Sequence, residues 1–264
     1  MSDATMMTAE PVPSFDLSGQ VALVTGAARG LGRASALALS SAGAAVALGL
    51  RDVASDRRLV GLIEQQGGTA IAVQMDVTDL GQSYRAVDHV VAELGSIDVL
   101  VNNAGGGINA PAVEVTEADF TAVMDLNMRS TFFLSQYVGR RMIERGYGRI
   151  VNMASQAGLV ALPGEISYCV AKAAVVHMTR CMAVEWGRFG VTVNAIAPTF
   201  IETDGTSAAL SDPEFRSDVI DRIAALHRIG QPHEVAGAVV FLSSPAAALI
   251  TGQVLAVDGG WTVR

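Results

Sequence analysis

Residues 21–32 read Val-Ala-Leu-Val-Thr-Gly-Ala-Ala-Arg-Gly-Leu-Gly, and the reading of this stretch decides the fold. A short apolar run, too short for a helix, is followed at once by Gly26, Gly30 and Gly32, and then by a longer amphipathic run over 31–42. The pattern predicts a strand, a tight turn and a helix. Glycines in such a turn allow a sharp bend and let the backbone approach a pyrophosphate, which then sits on the positive N-terminus of the helix. A purely structural turn would also use glycines. Placement between a first strand and a first helix favours the dinucleotide reading. The spacing is Gly-x-x-x-Gly-x-Gly, a variant of the commoner Gly-x-Gly-x-x-Gly.

Outward from this unit the alternation repeats. Runs at 21–25, 45–50, 70–74, 99–102, 149–153, 191–196 and 254–257 read as strands. Runs at 31–42, 56–66, 80–94, 117–145, 166–189 and 234–242 read as helices, with Thr116 as N-cap of the fourth. Such alternation predicts right-handed crossovers and an α/β fold, a doubly wound parallel Rossmann-like sheet in three α/β/α layers. The chain of 264 residues fits a loose tail over 1–15 and a single dinucleotide-binding catalytic domain over 16–264. One long interruption, about 198–225, has the length of a substrate loop or lid.

Composition narrows the function. Half of the residues are hydrophobic and only 17% are charged, against roughly 25% charged in an average domain, as a sheet covered on both faces requires. A net charge of −8 argues against nucleic acid and against an anionic membrane surface as partners. The two cysteines, Cys169 and Cys181, suggest no disulfide framework, and a cytoplasmic location is expected. His89, His177, His227 and His233 are scattered without metal-ligand spacing, so no metal is expected. The first fifteen residues lack a basic start before an apolar run and are not read as a signal peptide. The uncharged stretch 235–257 is interrupted by Ser243, Ser244, Pro245, Gly252 and Gln253; it is read as a helix, a turn and a buried strand, not a membrane span.

Where a dinucleotide fold usually carries an acidic residue at the end of its second strand, this chain has Leu50 followed by Arg51. Absence of the carboxylate removes repulsion toward a 2′-phosphate, and the guanidinium attracts one, with Arg29 as a second positive charge. NADP(H) is therefore the expected cofactor, with NAD(H) possible. The alternative is that Arg51 is solvated and Asp52 takes the ribose.

Tyr168 and Lys172 are four apart in a helical stretch and share a face. Ser155 follows the fifth strand, where an open α/β sheet opens its ligand crevice. A free phenol has a pKa near ~10, and a neighbouring ammonium is expected to lower it toward neutrality, as would an oxidised nicotinamide. Ser155 would donate to the substrate oxygen as negative charge grows there. The combination predicts interconversion of a ketone and a secondary alcohol by hydride transfer.

Residues 25–32, Asp76-Val77, Asn102-Asn103-Ala104-Gly105, Asn127, Ser155, 168–172, 201–203 and Asp258-Gly259-Gly260 together resemble the short-chain dehydrogenase/reductase family, over essentially the whole chain after residue 15. That resemblance implies a catalytic set of Asn127, Ser155, Tyr168 and Lys172, with Asn127 holding a water that links Lys172 to solvent. An amide that caps or kinks a long helix is the other use of Asn127. The resemblance further implies cofactor contacts from Gly26, Arg29, Gly30, Leu31, Gly32, Arg51, Asp76, Val77, Asn103, Ala104, Gly105, Tyr168, Lys172, Ile201 and Thr203. Asn102 is expected to tie strands. After Pro198 the family usually has glycine, whereas this chain has Thr199. A homotetramer is implied, packed through the helices near 128–145 and 166–189.

Two kinds of relative compete. Residues 191–203 and 250–260 are similar to 3-oxoacyl carrier-protein reductases, and 195–198, 239–242 and 256–261 equally to bacterial sugar-acid and polyol dehydrogenases of the gluconate type. The two arginines that would dock an acidic carrier correspond here to Gly146 and Phe189, with Arg145 and Arg188 one place earlier, so acyl carrier protein is a doubtful partner. A small carbonyl or alcohol is the expected substrate. A dinucleotide sensor without catalysis is the remote alternative.

Overall fold

Along β1 (Val21–Thr25) successive side chains leave the strand on opposite sides: Ala22 and Val24 enter one apolar core, Val21 and Leu23 another. The same division holds along β2 (Ala45–Leu50), β4 (Val99–Asn102), β5 (Gly148–Met153) and β6 (Val191–Pro198). These runs are apolar throughout because both faces are covered. The computed structural model describes residues 12–53 and 58–263. Within them, α1 (Gly30–Ser41), α2 (Arg58–Gln65) and α9 (Pro232–Ser243) close the first core. Helices α3 (Leu80–Leu94), α5 (Ser130–Arg145) and α6 (Ile166–Trp186) close the second. Leu23, Leu39, Leu48 and Leu100 are fully buried, each worth about 1.5–3 kcal/mol relative to exposure.

With β3 (Ala70–Gln74) and β7 (Val254–Val257) added, the sheet runs β3-β2-β1-β4-β5-β6-β7, and every pairing is parallel. The doubly wound expectation is met. Because β1 lies between β2 and β4, the chain turns one way after β1 and the other way after β4. The two following turns diverge and leave a crevice at the carboxyl ends of the strands.

Several expectations need correction. The run 117–145 is not one uniform helix: α4 (Glu117–Met124), capped by Thr116 Oγ1 on Asp119 N at 3.1 Å, passes through a π turn at Asp125–Arg129 before α5. Asn127 sits in that turn, its Nδ2 donating to Val123 O at 2.8 Å. The interruption at 198–225 holds two short helices, α7 (Ser207–Leu210) and α8 (Pro213–Arg222). They cover a small third core of Leu210, Val219, Ile223, Ile229 and Trp261. The last strand is not buried. As the sheet's outer strand β7 pairs only with β6, and its residues are exposed or half-buried. Residues 1–11 of the expected tail, and the expected helical start at Asp56 and Arg57, lie outside the described residues.

Candidate active site

A cleft of about 740 Å³ opens where the crevice was expected, lined by the turns after β1, β2, β3, β4, β5 and β6 and by the start of α6. Its first end is made of backbone. Gly26 and Gly30 have φ of 63° and 54°, a conformation glycine adopts without strain. A Cβ on Gly32 would collide with the carbonyl of Gly26, so the helix can start this close to the strand only on glycine. Asn103 fixes the turn from the side, its Nδ2 donating to Thr25 O at 2.9 Å, while Thr25 Oγ1 accepts from the backbone N–H groups of Asn103 and Ala104. Gly26, Arg29, Gly30, Leu31, Asn103, Ala104 and Gly105 all line the cleft; Gly32 does not, and serves by packing beneath Gly26.

At the same end β2 finishes at Leu50, and Arg51 rather than Asp52 lines the cleft. Asp76 and Val77 line it from beyond β3. The Asp76 carboxylate accepts from Thr78 N and Thr78 Oγ1, which holds it below the usual carboxylate range, with Arg51 acting in the same direction. A cradle that a Cβ would fill, a helix N-terminus and two guanidinium groups fit a phosphate-bearing dinucleotide.

The other end is made of side chains. The first turn of α6 presents Tyr168 and the next turn Lys172. Lys172 is buried, donates from Nζ to Met153 O at 2.8 Å, and lies 5.5 Å from the centroid of the Tyr168 ring. Ser155, at the exit of β5, lines the cleft together with Tyr168 and accepts from Ala157 N at 3.1 Å. Asn127 is fully buried behind Gly105 instead of lining the cleft; its Nδ2 also donates to Gly106 O at 2.8 Å. A Cβ on Gly105 would meet Asn127 Oδ1 at 2.7 Å and Lys172 Nζ at 3.1 Å, so Gly105 is where these groups converge. Asn102 ties strands as expected, donating to Asn152 Oδ1 and Ser135 Oγ, each at 2.8 Å. Ile201 and Thr203 line the cleft from beyond β6.

The electrostatics correct one expectation. Lys172 does not bring the phenol down in this structure. Tyr168 keeps some surface open to the cleft, yet the protein packed around its hydroxyl pushes it up to about 12; the Ser155 hydrogen bond opposes this and Glu165 adds to it. Burial pushes Lys172 down to about 8. Burial is the largest cause at both groups, with the ammonium over the ring face and itself withdrawn from water.

Sequence reasoning did not reach Met75 or Ala154, which also line the cleft, while Gly205 and Thr206 line it from the expected loop. Small or apolar residues in loops carry no spacing signal. Helix α8 was findable: Asp212 caps it, accepting from Glu214 N at 2.9 Å, with Pro213 in its first turn. The carrier-docking positions also have a local explanation. Gly146 has φ 72° and terminates α5, and Arg145 donates to Ile97 O and Asp98 Oδ1 at 2.9 Å each. Among the described residues no helix is long and apolar enough to cross a membrane.

Comparison with known proteins gives the same picture. The family model described as enoyl-(acyl carrier protein) reductase matches residues 26–262. The chain is 42% identical to a D-threitol dehydrogenase of Mycolicibacterium smegmatis, over 95% of each chain. It is also 42% identical to a 3-oxoacyl-[acyl-carrier-protein] reductase of Synechocystis sp., over 92% of this chain and 97% of the relative. Among solved structures, a gluconate 5-dehydrogenase from Burkholderia cenocepacia J2315 in complex with NADP and tartrate superposes with a TM-score of 0.92. It shares 36% identity and covers 96% of this chain and 98% of its own.

Proposed function

The chain belongs to the short-chain dehydrogenase/reductase family and is an NAD(P)-dependent oxidoreductase acting on CH–OH and C=O groups, and from that premise we propose how its residues divide the work. Bound in the cleft, the dinucleotide supplies or removes hydride. Tyr168 Oη gives a proton to the carbonyl oxygen in reduction and takes it back in oxidation. Ser155 Oγ donates to that oxygen as charge accumulates. Lys172, anchored on Met153 O beneath the Tyr168 ring, holds the phenol in place, and Asn127 holds Gly106 and the π turn around it.

The observation that carries this reading is that Ser155, Tyr168 and Lys172 line the same cleft as the glycine turn, with Lys172 Nζ 5.5 Å from the centroid of the Tyr168 ring. Arg29 and Arg51 at the phosphate end support NADP(H) over NAD(H), and the NADP complex of the Burkholderia relative is in keeping with it. The substrate is a small carbonyl or alcohol of the 3-oxoacyl-reductase type, with polyols and sugar acids as the second class, since relatives of both kinds match equally well. Exposed Phe132, Val170 and Val184 on α5 and α6 support the homotetramer. Two cysteines without a disulfide suit a cytoplasmic location. Residues 16–264 act as one catalytic domain, with the segment about 198–225 over the substrate.

The test is a screen at 340 nm (the nicotinamide absorbance) with NADPH, NADH and their oxidised forms, against 3-oxoacyl thioesters, polyols, sugar acids and simple ketones. Turnover that Tyr168→Phe abolishes supports the assignment. Turnover that survives Tyr168→Phe defeats it.

A further inference from the structure

We infer that Gln74, outside the cleft, is a positioning residue for cofactor choice: by bridging Arg51 and Val53 it holds the turn after β2 with Arg51, and not Asp52, toward the dinucleotide. The inference rests on the oxidoreductase reading above and on its assignment of Arg51 to NADP(H).

Two opposite charges stand side by side where β2 ends. A guanidinium there suits a 2′-phosphate, and a carboxylate suits the ribose hydroxyls of NAD(H). A shift of one residue in the turn would exchange them. Arg51 lines the cleft and Asp52 does not, so the register of this turn decides which charge the cofactor meets.

The sheet itself restrains the chain as far as Leu50. That residue pairs with Gln74 on β3, and its carbonyl accepts from Met75 N at 2.7 Å. Past Leu50 the side chain of Gln74 continues what the backbone ladder began. Its Nε2 donates to Arg51 O at 2.6 Å, and its Oε1 accepts from Val53 N at 3.1 Å. The two bonds fall on either side of Asp52. Both ends of the amide are used: a carboxylate in this place could not donate, and an ammonium could not accept. Val53 packs against the first core, which anchors the far end of the turn.

The consequence is felt on the opposite wall. Asp76, which lines the cleft beyond β3, is held below the usual carboxylate range by Thr78 and also by Arg51, so the guanidinium charge is directed along the cleft wall. Gln74 does not line the cleft, and its influence on a ligand passes through Arg51.

The experiment measures dinucleotide Kd by fluorescence titration of the full-length enzyme with NADP and with NAD, in wild type, Gln74→Leu, Arg51→Ala and the double variant. Gln74→Leu keeps the bulk and removes both hydrogen bonds. It should weaken NADP by about five-fold, the worth of one net hydrogen bond, and leave NAD unchanged. Arg51→Ala should weaken NADP by about ten-fold. In the Arg51→Ala background Gln74→Leu should no longer move the NADP-to-NAD ratio, because the residue it acts through is gone. Equal weakening of both dinucleotides by Gln74→Leu overturns the inference, since that is what a merely structural residue would do. An unmoved ratio overturns it too, as do additive effects in the double variant. These outcomes leave Arg51 and the oxidoreductase reading standing. The Arg51 assignment falls separately, if Arg51→Ala leaves the ratio at its wild-type value, and the oxidoreductase reading falls if no alcohol or carbonyl is turned over with either cofactor.

Discussion

The two ends of the cleft are built on opposite principles. At the phosphate end the working surface is backbone: Gly26 and Gly30 turn through positive φ, and Gly32 lets α1 start against the Gly26 carbonyl. At the chemistry end it is the side chains of Ser155, Tyr168 and Lys172, with Asn127 buried behind them, and Lys172 and Asn127 are each committed to a hydrogen bond. One end therefore fails when atoms are added and the other when atoms are removed. That contrast separates binding from chemistry within a single cleft.

The largest effect expected is at the chemistry end. Tyr168→Phe removes one oxygen and should lower kcat by about 10³-fold, within the range of a lost general acid–base group. The dinucleotide Kd, followed by fluorescence titration, should stay within about two-fold, because the cradle is untouched. A comparable loss of affinity would break the separation of the two ends. Next in size is Gly32→Ala. The added methyl drives into the Gly26 carbonyl, and overpacking of this kind costs about 1–3 kcal/mol. Dinucleotide affinity should fall by roughly ten-fold or more and Tm should drop, with kcat at saturating cofactor little changed. Retained affinity would mean that the turn yields where the contrast says it cannot.

The same contrast explains what could be read from the sequence. The glycine turn was legible because a backbone requirement writes itself as a residue type at fixed spacing, and the strands because burial on both faces writes itself as an apolar run. Tyr168, Lys172 and Ser155 were legible as a spacing, but their electrostatics were not. The four-residue interval between Tyr168 and Lys172 gives proximity on a helix, and says nothing of the protein packed around the hydroxyl or of Lys172 lying over the ring face. The π turn at Asp125–Arg129 was hidden for a similar reason: periodicity over 117–145 is nearly helical throughout, and a single side chain, Asn127, competes for the Val123 carbonyl. Helix α8 was missed although Asp212-Pro213 marks its start, because its mean polarity resembles a loop and Val219 alone in it is fully buried.

A smaller effect sharpens the phosphate end further. Arg51→Asp replaces a guanidinium lining the cleft at the end of β2 by the carboxylate more usual there. The ratio of kcat/KM for NADP over NAD should fall by about ten-fold or more, a single charge-assisted contact exchanged for repulsion. Because this is a side-chain effect at the backbone-built end, it should leave kcat with saturating NAD unchanged. An unaltered ratio would assign the 2′-phosphate to Arg29 instead.

The smallest effect tests whether burial governs the chemistry end. Lys172 is held down at about 8 in the folded chain, against 10.5 for an unperturbed lysine. Between those values the unfolded chain binds a proton at this position and the folded chain does not, so stability rises as pH climbs through the window. Tyr168 acts in the opposite sense: raised to about 12 from 10.0, it keeps its proton in the folded chain after the unfolded chain has lost it, and stability falls above about pH 10. Tm measured against pH should therefore rise more steeply in wild type than in Lys172→Met between pH 8 and 10. Tyr168→Phe should instead remove part of the decline above pH 10. Parallel curves for wild type and Lys172→Met would show that the ammonium is solvated after all, and that Coulomb attraction rather than desolvation sets the phenol.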